Sequence, residues 1–226
     1  MSVAAAGYLR IGAQDPAAWM DFGTSVLGLM EAPRADTQGA RFLRMDDHPF
    51  RFMIEAGSAD RLLAAGLEYR TEADWRATCE ALAAAGHAVE PGPDDEAERR
   101  CVTAFATVKD PSGNTIELYY GRKLDYVPLV SPVGVDSFVT SYQQTGDLGF
   151  GHVVLPAPQT EATTAFYTDL VGMDICDTLY PPIPDSKVIF MHADNPRQHS
   201  LALFNADHPT GCLLYTTDAA DDSIRV

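Results

Sequence analysis

Alternating apolar residues and helix-start signals predict a β-α-β-β unit in the first part of the chain. Residues 7–13 alternate as a strand does, and Asp15 with Pro16 supplies the cap and first position of a helix. That helix has amphipathic spacing over residues 17–27 and is predicted to end at Gly28. Short strands then surround an Asp-Asp-His-Pro turn. The strands predicted after the helix are 29–32, 41–45 and 50–55.

Similar patterns begin again at Gly66 and at Gly151, so the chain is predicted to be a series of modules. The second module is predicted to have a strand at 66–71, a helix at 72–85 and a hairpin of strands at 102–108 and 115–120. The third is predicted to have a strand at 151–157, a helix at 160–170 and strands at 188–192 and 199–204. The same period would open a fourth module near residue 210, where too few residues follow to complete it.

The predicted fold class is therefore α+β, built of paired β-α-β-β-β modules, with three modules present and the fourth missing. Residues 7–31 align without a gap on residues 151–175, with identities that include the two helix-ending glycines. The informative difference between the copies is Tyr8 in the first against His152 in the second. A strand-borne histidine in one copy of a duplicated fold is a candidate metal ligand.

Charge and cysteine pattern exclude several classes of protein. The chain has 226 residues and a net charge of −16, which repels phosphate backbones and anionic lipid, so we expect no nucleic-acid or membrane partner. The acidic run at 94–98 lacks the spacing of a calcium loop and is predicted to be a solvated loop. No signal peptide or membrane-length apolar run is visible, and the four cysteines form no CxxC pair, so we expect a cytoplasmic protein with reduced thiols.

Several motifs act together as a family signature. They are the paired modules, the Gly-Phe-Gly-His stretch at 149–152 and the run Asn-Pro-Arg-Gln-His-Ser-Leu-Ala at 195–202, supported by segments 7–11, 43–47 and 110–114. In combination they resemble the type I extradiol catechol dioxygenases of the vicinal oxygen chelate (glyoxalase/bleomycin-resistance) superfamily. The resemblance extends over about residues 5–212. It is closest to members that cleave 2,3-dihydroxybiphenyl or a related steroid-catabolic catechol.

This resemblance implies four modules in two domains, of which the N-terminal pair is metal-free and the C-terminal pair binds Fe(II) through two histidines and one glutamate. By the same resemblance His152 is the first iron ligand, and His199 is the acid/base toward the substrate and dioxygen. Val154, Met191 and His192 fall where the family's substrate pocket lies. The implied reaction is extradiol ring cleavage of a bicyclic or bulky catechol by dioxygen, in an enzyme that is a homo-oligomer when intact.

The sequence departs from the family near its C-terminal end. Leu214 stands where the second histidine ligand is expected, and the strand that would carry the glutamate is missing. Residues 212–226 resemble the translation of a sequencing adapter and are expected to be a non-native tail. The expected organisation is a metal-free domain at 1–125, a connection at 126–146 and the first half of a catalytic domain at 147–211. We expect such a chain to be an inactive fragment with an incomplete iron site.

Other interpretations stay open from the residues alone. Each of the site histidines could instead be an ordinary hydrogen-bonded core or strand residue, and Val154 and Met191 could be plain core packing. A metal-dependent lyase or isomerase of the glyoxalase kind is a second candidate function on the same fold. A third is a non-catalytic module in which residues 1–125 alone bind a small hydrophobic ligand.

Overall fold

The computed structural model describes residues 2–140, 146–182 and 184–205, and these form two β-sheets with helices packed against them. The first sheet has eight strands in the order β2-β3-β4-β1-β5-β8-β7-β6. Its strands are β1 (Ala5–Ala13), β2 (Met30–Glu31), β3 (Arg41–Arg44), β4 (Phe52–Ala56), β5 (Arg61–Tyr69), β6 (Glu90–Pro91), β7 (Ala104–Lys109) and β8 (Thr115–Tyr120). The predicted first and second modules thus join into one sheet through the antiparallel pair of β1 and β5.

The second sheet has four strands in the order β10-β11-β12-β9, and it repeats the arrangement of the first module. Its strands are β9 (Val153–Pro156), β10 (Asp174–Leu179), β11 (Val188–His192) and β12 (Leu201–Phe204). In both modules the first strand pairs in parallel with the last, β1 with β4 and β9 with β12. The mixed sheets and short helices confirm the predicted α+β class of paired modules.

The two helices of the internal repeat have the same unusual shape. Helix α1 (Pro16–Asp21) continues into a π-helical turn at Phe22–Val26, and α4 (Thr160–Ala165) continues into one at Phe166–Val171. Each ends at the glycine that the alignment predicts, because Gly28 and Gly172 have φ of +72° and +86°. The Asp15 carboxylate accepts the amides of Ala17 and Ala18, so the predicted N-cap is confirmed.

Helix α2 (Glu72–Ala84) agrees with its prediction, and Thr71 caps its first turn. The acidic run is a helix rather than the predicted loop. Helix α3 (Asp94–Arg99) forms there because acidic residues at its first turn favour the helix dipole, while Ala97 on its inner side is buried. Strand β10 was not predicted from the sequence. Its residues are mostly exposed in the structure, so they carry no apolar alternation that would mark a strand.

Two predicted strands begin later than expected, and this changes where the site histidines lie. Strand β9 begins at Val153 and β12 at Leu201, so His152 and His199 each lie in the approach to a strand rather than within it. The predicted tail at 212–226, Leu214 and the expected start of a fourth module lie outside the described residues.

One continuous hydrophobic core joins the two sheets. It includes Leu118 of β8, Leu82 of α2, Phe166 and Leu201. A buried hydrogen bond also joins the first sheet to the third module, since the Tyr69 hydroxyl at the end of β5 donates to the Val171 carbonyl at 2.9 Å. The N-terminal modules and the third module therefore pack as one body, with residues 147–205 held against β5, β8 and α2.

A buried ion pair lies where the turn after β3 meets the end of the connection. The Arg51 guanidinium contacts the Asp46 carboxylate at 2.6 Å and also donates to the carbonyls of Gly7 and Gly146. Both side chains are at most 1% exposed. This pair thus fixes the start of β1, the turn and the residue that opens segment 146–152.

His48, next to this pair, is expected to make the fold sensitive to acid. Burial, followed by the charges of Arg51 and Arg122, holds the pKa of His48 well below its usual value. His48 in the unfolded chain binds a proton as the pH falls through about 6.5, whereas His48 in the folded chain stays neutral. The free energy of unfolding therefore has its full value above that pH. It should fall by up to about 1.4 kcal/mol per pH unit below it. Urea titrations of wild type and His48→Gln between pH 5 and 8 measure this. Parallel pH slopes for the two proteins would contradict it.

Among the described residues no helix is long and apolar enough to cross a bilayer. Cys79, Cys101 and Cys176 are free thiols.

Candidate functional site

His152 and His199 lie side by side at one end of the second sheet. Their ring centroids are 4.5 Å apart, and the ring of Phe190 lies 4.7 Å from that of His199. Both histidines are half-buried. The two imidazoles that the sequence singled out are therefore in contact, although they are far apart along the chain.

The pairing of β9 with β12 brings these histidines together. The two strands run parallel with Val153 opposite Leu201, and the Val153 amide donates to the Ser200 carbonyl at 3.3 Å. Residues just before two parallel strands lie at the same edge of a sheet, so both approaches place their histidines at that edge.

The face of the second sheet that continues from this edge carries Val154, Ala202 and Phe190. Val154 pairs with Ala202, which pairs with Phe190, and side chains at paired positions share a face. Met191 pairs with Leu201 on the opposite face and is fully buried in the core. This burial does not support a pocket role for Met191, which stays a prediction, whereas Phe190, which the sequence analysis missed, lies beside His199.

His192, the last predicted pocket residue, is the final residue of β11 and is half-buried. Its Nδ1 lies 2.9 Å from the main-chain carbonyl oxygen of Arg197, within the loop that leads to His199. A donor role for Nδ1 in this contact corresponds to the tautomer with the proton on that nitrogen. The contact connects β11 to the His199 loop.

The first module contains a structural counterpart of the histidine pair. Leu9 aligns with Val153 in the repeat, and their partners across the parallel pairs are Phe52 and Leu201. Counting back from these positions, Tyr8 corresponds to His152 and Phe50 to His199. The rings of Tyr8 and Phe50 are 5.5 Å apart, so a phenol and a phenyl ring occupy the corresponding positions in the first module and neither offers an imidazole.

A carboxylate completes this counterpart site, which we define as Tyr8, Phe50 and Glu117. The Tyr8 hydroxyl donates to Glu117 at 2.6 Å. The guanidinium groups of Arg100 and Arg10 contact the two carboxylate oxygens of Glu117 at 2.8 and 2.7 Å. Cationic side chains thus offset the charge of Glu117 in the first module.

These charges fix the ionisation of the counterpart site. Burial of Glu117 opposes ionisation, but hydrogen bonds and charge from Arg100, followed by the charge of Arg10, lower its pKa below the usual value. Burial and then the neighbouring Glu117 raise the pKa of Tyr8 well above its usual value. The phenol therefore stays protonated as a donor and the carboxylate stays ionised as an acceptor.

Aromatic side chains fill the space around the counterpart site. Tyr8, Phe42, Phe50, Phe105 and Tyr119 belong to one buried cluster. The cleft found in the described residues has a volume of about 240 Å³ and lies elsewhere, between β5 and the β7–β8 turn, with a polar lining. Buried aromatic side chains therefore pack the interior around Tyr8 in the described part of the chain, and this packing disfavours the third candidate function.

The described residues fit part of an iron site. His152 offers a neutral imidazole of the kind that binds Fe(II), with a second imidazole beside it. Among the residues that the structure describes, no group of three or more His, Cys, Asp or Glu side chains could together hold a metal ion. The position of Leu214, where the family resemblance implies a second histidine ligand, lies outside this part of the chain.

Two family models match separate parts of the chain. Residues 6–57 match the first domain of dihydroxybiphenyl dioxygenase BphC. Residues 149–216 match the Glyoxalase/Bleomycin resistance protein/Dioxygenase superfamily. The matched parts contain the Tyr8 and the His152 copies of the repeat, respectively.

Similar proteins of known activity define the class as enzymes that cleave catechols beside the diol. An iron-dependent extradiol dioxygenase of Rhodococcus jostii is 37% identical over 98% of this chain and 75% of its own length. A 3-methylcatechol 2,3-dioxygenase of Pseudomonas putida is 35% identical over 89% of this chain and 68% of its own length. The biphenyl-2,3-diol 1,2-dioxygenase of Metapseudomonas furukawaii is 35% identical over 90% of this chain and 66% of its own length. The chain belongs to the extradiol catechol dioxygenase family of the glyoxalase/bleomycin-resistance superfamily, as predicted from the sequence.

Solved structures agree with this assignment. The halotolerant catechol dioxygenase BphC superposes with a TM-score of 0.81 at 27% identity, over 90% of this chain and 65% of that one. The 2,2',3-trihydroxybiphenyl 1,2-dioxygenase of Sphingomonas wittichii has a TM-score of 0.76 at 28% identity, over 92% of this chain and 68% of that one. The chain thus spans about two thirds to three quarters of the length of these relatives.

Proposed function

We propose that this chain carries one part of the active site of an Fe(II)-dependent extradiol dioxygenase, with His152 as a metal ligand and His199 as the acid/base. The observation that supports this is the contact between the two imidazoles at the sheet edge where the repeat places Tyr8 and Phe50 in the first module. In the first module the counterpart of His152 also touches a carboxylate, Glu117. A histidine and a carboxylate at these positions are the donor types that suit ferrous iron.

Each histidine has a distinct role in this proposal. His152 binds the metal through a neutral imidazole nitrogen, and the metal when bound orients a catecholate and dioxygen and eases electron flow between them. His199 does not bind the metal. It accepts a proton from the catechol hydroxyl as the substrate binds and returns a proton to the oxygen that develops charge during ring cleavage.

The substrate in this proposal is a catechol with a bulky or fused second ring. Relatives act on biphenyl-2,3-diol and on 1,2-dihydroxynaphthalene by their names, and one acts on 3-methylcatechol. Phe190 and Val154 give the sheet face beside His199 an apolar character that suits an aromatic ring, and His192 lies at the end of the same strand as Phe190. Homo-oligomeric assembly and a cytoplasmic location stay predictions.

A chimera tests the roles of the two histidines. Residues 1–205 of this chain are joined to the remaining C-terminal part of the Rhodococcus jostii relative, reconstituted with Fe(II) without oxygen, and assayed for ring cleavage of 2,3-dihydroxybiphenyl. We expect His152→Ala to lose bound iron and product together. We expect His199→Ala to keep its iron while kcat falls by about 10²- to 10⁴-fold. His87→Ala, whose ring packs edge-on against Phe166, is the control and should keep both.

Two outcomes would contradict the proposal. Full iron occupancy in the His152→Ala chimera would remove the ligand role, and an unchanged kcat in His199→Ala would remove the acid/base role. The chain by itself is expected to bind less than one equivalent of iron and to form no product, because the proposal gives it one metal ligand, His152, among its described residues. Stoichiometric iron with turnover in the chain by itself would contradict that expectation.

A further inference from the structure

Two loops carry the candidate site residues, and both are hydrogen-bonded to residues 3–6, which include the start of β1 and the residues just before it. The Phe150 amide, in the approach to His152, donates to the Ala6 carbonyl at 3.1 Å. The Asp194 amide, at the start of the loop that leads to His199, donates to the Val3 carbonyl at 2.7 Å. Residues 3–6 therefore touch both histidine-bearing loops.

Asn195 is built into this contact. Its side chain is buried, its Nδ2 donates to the Ala4 carbonyl at 2.6 Å, and its Oδ1 accepts the main-chain amide of Arg197 at 2.9 Å. One amide side chain thus binds the residue just before β1 on one side and shapes the His199 loop on the other. The two segments approach each other closely here, because a Cβ on Gly149 would lie 2.2 Å from the Ala6 carbonyl oxygen. Glycine at this position therefore allows the contact between residues 3–6 and the approach to His152.

Arg197 connects the two loops to each other. Its buried guanidinium donates through Nε to the Leu148 carbonyl at 3.1 Å and through Nη2 to the Val139 carbonyl. Its own carbonyl oxygen faces His192 Nδ1 at 2.9 Å. The side chain therefore starts in the His199 loop and ends on the segment that leads to His152, while its main chain contacts the strand that carries Phe190.

We infer that Asn195 and Arg197 are positioning residues that set the distance between the two site imidazoles, with residues 3–6 of the metal-free modules as their fixed support. The first modules then act in the site itself as the frame for both loops. The functional meaning of this inference rests on the proposed roles of His152 and His199, but the contacts and their test do not involve iron.

Variants separate the two connections. Asn195→Asp has the same shape and keeps the acceptor for the Arg197 amide, but it places an acceptor oxygen against the Ala4 carbonyl. Arg197→Ala removes the donor to Leu148, in the approach of His152, and the donor to Val139. Arg197→Lys restores one ammonium donor in place of the planar guanidinium. Asp36→Asn, which weakens a buried pair with Arg99 in the first modules, controls for general destabilisation. Arg76→Ala, at an exposed pair on α2, controls for loss of an arginine.

The measurement is amide hydrogen exchange by NMR on the full metal-free chain, together with cross-relaxation between the His152 and His199 ring protons. We expect Asn195→Asp to raise exchange about tenfold in residues 193–200 alone. Arg197→Ala should raise amide exchange in both 193–200 and 147–152, and it should weaken the cross-peak between the two histidine rings. Arg197→Lys should give exchange rates and a cross-peak between those of Arg197→Ala and wild type. Exchange that rises evenly along the chain, as in Asp36→Asn, or a ring cross-peak unchanged in all variants would overturn the inference. A failed ring-cleavage assay in the chimera would leave these results standing, so the two proposals fail separately.

Discussion

Replacing Glu117 by alanine is expected to lower the free energy of unfolding by about 3–5 kcal/mol, because it removes the anion from a buried cluster of charges. Glu117 is 1% exposed and contacts Arg10, Arg100 and the Tyr8 hydroxyl. The guanidinium groups of Arg10 and Arg100 would then lose their common carboxylate, and each would keep one other acidic partner, Glu55 for Arg10 and Glu96 for Arg100. Urea denaturation followed by circular dichroism near pH 7 measures the loss.

Glu31→Ala is the matched control, since it removes a carboxylate from the exposed pair with Arg41 and should cost less than about 1 kcal/mol. A second variant tests whether charge is the cause. Replacing Glu117 and Arg100 together by leucine and methionine should recover much of the stability lost by Glu117→Leu alone, because no buried charge is then left without a partner. Additive losses would show that shape rather than charge dominates. The stabilising ionisation of Glu117 should also disappear in acid, as the pH falls through its lowered pKa.

Asp46→Asn is expected to have the second largest effect, also about 3–5 kcal/mol of unfolding free energy. The substitution keeps the shape of the side chain but leaves the fully buried Arg51 without its carboxylate. Arg51 would keep its bonds to the carbonyls of Gly7 and Gly146, which satisfy its donors but not its charge. Thermal unfolding and urea midpoints of the variant measure the change.

Glu161→Gln serves as the control for Asp46→Asn, because Glu161 forms an exposed pair with Lys187 at 3.5 Å and should contribute little. Similar losses in the two variants would contradict a special role for the Asp46–Arg51 pair. The location of the loss is informative as well. Since Arg51 holds Gly146, amide exchange in residues 146–152 should rise more than in α2.

Local chemistry in the sequence was sufficient to predict much of the fold. Asp15 with Pro16 and the glycine at 28 defined the first helix because caps act through neighbouring residues. The gapless repeat then predicted the same helix at 160–170, against the observed 160–171, and it singled out His152 by its difference from Tyr8. The prediction of a loop at the acidic run was wrong, because its charge alone suggested solvent exposure. Helix α3 forms there with Ala97 buried and with Arg100 donating to the Glu96 carbonyl.

The site was less predictable, because strand register decided it. The residues of β11 are apolar on both faces, so no polar alternation in the sequence separates Phe190 from Met191. Only the pairing with Ala202 and Leu201 shows which of them shares the face of Val154. Asn195 and Ala4 meet across most of the chain length, and no local pattern reports such a contact. The alignment of the repeat could have suggested Phe50 as the counterpart of His199, had the parallel pairing been known.

The guanidinium groups on Glu117 have a consequence for how the first sheet folds. Its buried carboxylate is balanced by Arg10 and Arg100 of the same sheet region, so this part of the fold requires no bound ion to offset the charge. Metal chelators should therefore leave the thermal unfolding of the first sheet unchanged, and the strand beside the two histidine loops is available as a support before any ligand binds.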